Sequence, residues 1–146
     1  MSQYHKTSFY VQHAIRMYID SNKAFACNLY EGGAYESMKL PCCAIKLESQ
    51  STYNSALGTY GNKTSLVAIE LQTGGNSTTE EQHWDLWAEI EDLFNKKRTD
   101  LVAALNQYVP EINFQKVDIR ELDNSAVENT RITSMNVEVI TSITGG

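Results

Sequence analysis

Apolar and polar positions along this chain change period several times, and each change marks an element. Val11, Ile15, Tyr18 and Ile19 fall at helical spacing, with Gln12, Arg16 and Asp20 on the other side. Thr7 or Ser8 can cap this first helix, and Ser21 and Asn22 stop it. The period then drops to two. Phe25, Cys27 and Leu29 alternate with Ala26, Asn28 and Tyr30, which predicts a strand, and Glu31-Gly32-Gly33 opens a loop. Pro41 leads a second strand, a position where its missing N–H costs least. Cys43, Ile45 and Leu47 share one face of that strand, and Lys46 and Glu48 the other. Residues 49–62 are polar, punctuated by Gly58 and Gly61 and interrupted by Tyr53, Leu57 and Tyr60. They read as a long hairpin tip or a mobile loop. Residues 64–72 alternate again, with Val67, Ile69 and Leu71 on one face, while Leu66 and Ala68 make the other face partly apolar.

The second half opens on a helix start. Ser77 with Glu80, or Thr78 with Glu81, fits a capping box, and the acids complement the helix dipole. Leu86, Trp87, Ile90, Leu93, Phe94, Leu101, Leu105 and Tyr108 form one apolar stripe, wide enough to pack across a sheet. Lys96-Lys97-Arg98 followed by Thr99-Asp100 resembles the basic end of one helix and the cap of another, so a kink or break is expected near Thr99. Val109-Pro110 terminates the helical stretch. Residues 112–122 then predict a strand with Val117 and Ile119 on one face, and residues 122–129 an acidic turn. The last strand has the clearest alternation. Thr133, Met135, Val137, Val139, Thr141 and Ile143 interleave with Ser134, Asn136, Glu138 and Ser142, one buried face and one wet face. The order α-β-β-β-α-β-β predicts a two-layer α+β fold, a mostly antiparallel sheet with a long helix packed on one face. Residues 1–146 are expected to form a single domain.

Composition narrows the function classes. The net charge of −6 argues against a protein that grips nucleic acid, which needs a basic patch. It does not argue against a surface that DNA slides past, where repulsion would help. The first thirty residues lack a charged start followed by an apolar run, so no secretory signal is expected, and no apolar stretch is long enough for a membrane helix. The three cysteines, Cys27, Cys42 and Cys43, then fit free thiols in a reducing compartment.

Catalytic motifs are missing. The chain has no nucleophile elbow, no phosphate loop with its lysine and no H-E-x-x-H pair. A zinc site would have to recruit His5, His13 or His83 from distant segments. His83 and Asp85 are close in sequence but point about 200° apart on a helix. Gly74-Gly75-Asn76-Ser77 before a helix start could cradle an anion, but no lysine accompanies it. No catalytic, metal-binding or cofactor-binding residues are therefore assigned, and no cofactor is expected.

Several segments carry a resemblance to a known family. Leu40-Pro41-Cys42-Cys43-Ala44-Ile45-Lys46-Leu47 is similar to the proline-led strand of the tail terminator (tail completion) proteins of long-tailed bacteriophages, the lambda-like minor tail family. Leu66-Val67-Ala68-Ile69-Glu70-Leu71 resembles the strand after that family's polar hairpin, and Trp87-Ala88-Glu89-Ile90-Glu91-Asp92-Leu93-Phe94 its long helix. Asp118-Ile119-Arg120-Glu121-Leu122-Asp123 and Thr133-Ser134-Met135-Asn136-Val137-Glu138-Val139 resemble the two closing strands around an acidic turn. The likeness covers nearly the whole chain, as element order and apolar pattern. The adjacent cysteines and the length of the helix depart from it.

The resemblance implies a structural virion protein and not an enzyme. It implies a homo-oligomeric ring, usually a hexamer, that caps the tail tube, ends its polymerisation and offers a joining surface to the head. The implied partners are other copies of the chain, the tail tube protein and a head-completion or neck protein, with DNA passing through unbound and no membrane. The implied location is the virion tail or neck, and host cytoplasm during assembly. On this reading Tyr53, Leu57 and Tyr60 reach the tube or a neighbouring subunit, and Glu121, Asp123 and Glu128 face the lumen. The alternatives are another head–tail component, such as a head-closure or connector protein, and a small cysteine-dependent enzyme.

Overall fold

The first helix buries the stripe that its spacing defines. Val11, Ala14, Ile15, Tyr18 and Ile19 of α1 (Thr7–Asn22) lie in the core, while Arg16 and Asp20 pair across one turn on the outer side. The computed structural model describes residues 6–22, 27–32, 39–52 and 63–143. Among them, α1 is followed by β1 (Asn28–Glu31), β2 (Cys42–Thr52), β3 (Lys63–Gly74), α2 (Glu80–Phe94), α3 (Arg98–Leu105), β4 (Ile112–Val127) and β5 (Thr130–Ile143). The strands form one sheet in the order β1-β2-β3-β5-β4. The short β1 runs parallel to β2, and the other neighbours are antiparallel. The fold is therefore α+β.

One core joins the helices to one sheet face. Val11, Ile15 and Tyr18 of α1, Trp87, Ile90 and Phe94 of α2, and Leu101 and Leu105 of α3 meet Cys43, Ile45, Val67, Ile69, Leu71, Met135, Val137 and Val139. These strand residues are the alternate positions of the pleat, as period two requires. The opposite face carries Lys46, Leu66, Ala68, Glu70, Ser134, Asn136 and Glu138, and none of the three described helices packs on it.

The helical stripe is continuous in sequence but split in space. The break expected near Thr99 falls slightly earlier, at residues 95–97, which include Lys96 and Lys97, and divides the long helix into α2 and α3. Tyr18 donates its hydroxyl to the carbonyl of Leu93, which satisfies one of the orphan carbonyls at the end of α2. The start of α2 also differs from expectation. The N-cap is Thr79: its hydroxyl accepts from the Gln82 amide while the Gln82 side chain accepts from the Thr79 amide. A glutamine completes the box as well as a glutamate, and the two acids Glu80 and Glu81 sit in the first turn.

The acidic turn expected at residues 122–129 is mostly strand. β4 pairs with β5 as far as Val127, and the turn is only Glu128 and Asn129. Glu128 has φ +54, the left-handed region that a two-residue hairpin turn demands. Polar side chains alone suggested a turn here, whereas pairing with the strongly alternating β5 keeps them extended. Two irregularities bend β4, one between Phe114 and Lys116 and one between Ile119 and Leu122, where Arg120 and Glu121 bulge out of register. At its far end the hairpin is tied down. The amide of Gly75 donates to the carbonyl of Asn129, and Arg131 donates to the carbonyl of Thr78 at 2.7 Å. A Cβ at position 75 would stand 3.0 Å from that Asn129 oxygen, so any other residue would push the hairpin tip back by a few tenths of an ångström.

Candidate functional site

The bulge in β4 decides where its acidic residues go. Asp123 pairs with Ser134 of β5, on the face turned away from the helices, and Glu121 lies in the bulge beside it. There the two carboxylates join Glu48 of β2 and Glu70 of β3 around a floor of Leu66, Ala68, Ser134 and Asn136. The depression has a volume of about 750 Å³. Glu48 reaches this face by the alternation that also places Lys46 there. Only part of the acidity is neutralised. Lys46 lies 3.4 Å from Glu70, and Arg120 lies 2.9 Å from Glu138. Glu48, Glu121 and Asp123 make no ion pair with a described residue.

Of the expected lumen residues, Glu121 and Asp123 thus come together, and Glu128 does not. It stands at the hairpin tip, away from the depression. Tyr53, Leu57 and Tyr60 lie outside the described residues. Glu48 and Glu70 were legible as outward positions of their strands, but nothing in either segment signalled that they would meet Glu121.

A second polar cluster lies inside the protein. His83 is 1% exposed and sits between two strands. Its Nδ1 is 2.7 Å from Thr73 Oγ1, and its Nε2 is 2.8 Å from Thr133 Oγ1. The Thr133 hydroxyl in turn donates to Asn124 Oδ1 at 2.9 Å. These distances select one arrangement. Thr133 has given its proton to Asn124, so it accepts from Nε2–H. The pKa of the ring lies below the usual 6.5, so at neutral pH it is uncharged and Nδ1 accepts from the Thr73 hydroxyl. Burial is the main cause, Arg131 adds to it, and Glu80 opposes. His83 stands one turn before Trp87 and extends the buried stripe of α2 to His83, Trp87, Ile90 and Phe94. Tracing the stripe backward from Trp87 would have found it.

The other chemistry sought in the sequence is arranged structurally. Cys42 and Cys43 are both fully buried. Burial, with Glu70 adding, pushes the Cys42 thiol up to about 11, and burial lifts Cys43 well above its usual value. Both thiols are protonated at neutral pH and so poor nucleophiles. His13 is 2.7 Å from Glu31, which also accepts from Arg16 at 2.9 Å. Among the described residues no three His, Cys, Asp or Glu side chains converge as a metal site. The turn before α2 spends its amides internally: Gly75 donates to Asn129, and Ser77 and Thr78 donate to Gly74. It offers no anion cradle of the kind those glycines suggested. Among the described residues no helix is long and apolar enough to cross a membrane.

Neither a scan against protein-family models nor a search of curated proteins returned a match.

Proposed function

We propose that this chain is a structural virion protein whose copies form a ring on the end of a bacteriophage tail tube, stop its growth and present a surface to the head. The observation that carries this reading is the acidic depression on the sheet face turned away from the three described helices. Four carboxylates, Glu48, Glu70, Glu121 and Asp123, gather on a face that the helix layer leaves open. A channel wall for DNA must repel phosphate rather than bind it, and such a face does so without a specific contact. The element order supports the reading, since it follows the segments in which the family resemblance lies. The buried thiols, protonated at neutral pH, weigh against the cysteine-dependent enzyme.

The test is the oligomeric state, by mass photometry, of the chain alone and with tail tube protein. Closed rings of about six copies, alone or only on tube ends, are the expected result. Open filaments would indicate a tube subunit instead. A chain that stays monomeric and ignores tube protein would overturn the proposal.

A further inference from the structure

The start of α2 is fastened to the sheet through very few side chains. Of residues 75–86, Thr78 and His83 alone are buried, and the next buried hold on α2 is Trp87, a full turn further on. The β4–β5 tip is just as lightly held, since residues 119–127 are all exposed. Hydrogen bonds tie these two segments to each other. Gly75 donates to the Asn129 carbonyl, Arg131 donates to the Thr78 carbonyl, and His83 reaches Asn124 through Thr133. Separating them uncovers little apolar surface and leaves the packing of Trp87, Ile90 and Phe94 on the sheet in place, which is the condition for local opening.

The enclosure around His83 suits a neutral imidazole. Thr73 donates to Nδ1, and Thr133 accepts from Nε2–H. A protonated imidazole has two donors and no acceptor, so Thr73 would have to turn its proton away. Neither hydroxyl carries a charge to balance a buried cation. The charged groups that face the imidazole are Arg131 of β5 and Glu80 of its own helix. β3 offers only the Thr73 hydroxyl, and β4 offers Asn124, Ser125 and Ala126. The carboxylates of Glu70 and Asp123 belong to the opposite face of the sheet. Arg131 repels a second cation, and its bond to Thr78 is itself one of the ties. Glu80 is exposed and stands three residues before His83, so a protonated imidazole meets it best outside, on the helix surface.

We propose that the first turn of α2 and the turn before it form a pH-operated latch on the β4–β5 tip, closed over neutral His83 and released when His83 takes up a proton. The closed and open forms differ in the proton affinity of one side chain. An exposed imidazole titrates at about pH 6.5, and the enclosed one titrates lower. The open form therefore gains on the closed form as pH falls below about 6.5, by at most about tenfold per pH unit, until the enclosed imidazole itself titrates. The inference concerns a single copy of the chain and does not rest on the virion reading.

Amide hydrogen exchange of the full chain at about pH 7.5 and about pH 5, with exposure times scaled for the intrinsic rate, tests the latch. Protection of residues 82–86 and 124–131 should fall at least about threefold at the lower pH, while residues 66–71 and 135–139 keep theirs. His83→Gln offers the same acceptor and donor without a titrating group, and should show no such loss. In the parent chain the His83 imidazole, followed by NMR, should titrate over the pH range in which protection is lost. An equal fall in residues 66–71 and 135–139 is global unfolding and would overturn the proposal. So would a His83→Gln chain that loses protection with pH as the parent does. Should His83→Gln fail to fold by circular dichroism, the parent decides: both segments still protected at the lower pH overturn the latch, whatever the imidazole does. Each of these outcomes leaves the virion reading where it stands, since that is tested by oligomeric state.

Discussion

β4 is two strands in one. Residues 112–117 bury Ile112, Phe114 and Val117 beneath α3, and the Asn106 side chain brackets the backbone of Phe114, accepting from its amide at 2.6 Å and donating to its carbonyl. Residues 119–127 pair with the same partner strand, yet every one of them is exposed. The difference does not come from β5, whose Thr133, Met135, Val137 and Val139 are buried along both halves. It comes from the layer above. α3 has only eight residues and covers the first half, while the α2 residues His83, Trp87 and Ile90 face into the core over β3 and β5. Exposure of an edge strand is therefore set by how far the helices reach, not by the strand's own pairing.

The largest expected effect separates the two halves directly. Phe114→Ala should cost about 3–5 kcal/mol, the usual result of emptying an aromatic site in a core. Leu122→Ala should change stability by no more than about 0.5 kcal/mol. Urea denaturation measures both, and equal losses would erase the distinction between the halves.

The polar tie that anchors the outer half comes next. His83→Ala leaves the Thr73 and Thr133 hydroxyls short of a partner, at a cost of about 1–3 kcal/mol. Amide hydrogen exchange should quicken around Asn124 and Thr133 more than around Phe114; uniform quickening would mean the cluster supports the whole core instead. The same residue predicts a pH dependence. The folded pKa of His83 is depressed, so the unfolded chain binds the proton more readily. Its contribution is complete above about pH 6.5 and is lost as pH falls below that toward the folded value. A melting temperature that declines below pH 6.5 in the parent, and less steeply in His83→Gln, is the expected outcome.

Smaller effects follow at the ends. Thr79→Ala removes the α2 cap and should cost about 1 kcal/mol, measured by thermal melting. Glu128→Gly relieves the left-handed residue of the hairpin turn and should gain up to about 1 kcal/mol. A loss on that substitution would mean the Glu128 side chain holds the tip.

Much of this was legible in the sequence. Alternation in residues 64–72 and 133–143 placed the central strands correctly, because both are flanked by neighbours and packed on one side, the condition under which period two is cleanest. Residues 122–127 misled for the converse reason. All six are exposed, so no regular apolar face marks them, and their polar composition by itself reads as a turn. The acidic face was legible only in part. Glu121 and Asp123 could be singled out by charge, but their meeting with Glu48 and Glu70 depends on the register slip in β4 and on the strand order β2-β3-β5-β4. Neither is encoded in a local pattern. His83 is legible as a core position only when the stripe of Trp87, Ile90 and Phe94 is extended one turn back, because an imidazole does not stand out as apolar.

The Gly75 contact has a consequence for how the protein tolerates change. The two stretches it joins, the turn before α2 and the tip of the β4–β5 hairpin, are more than fifty residues apart in sequence, yet backbone meets backbone there so closely that a methyl group would crowd the contact. An alteration in the length of either stretch is felt at once by the other. Insertions that lengthen the β4–β5 tip should therefore be accepted only when the connection between β3 and α2 changes with them, so that two surface turns vary as a single unit.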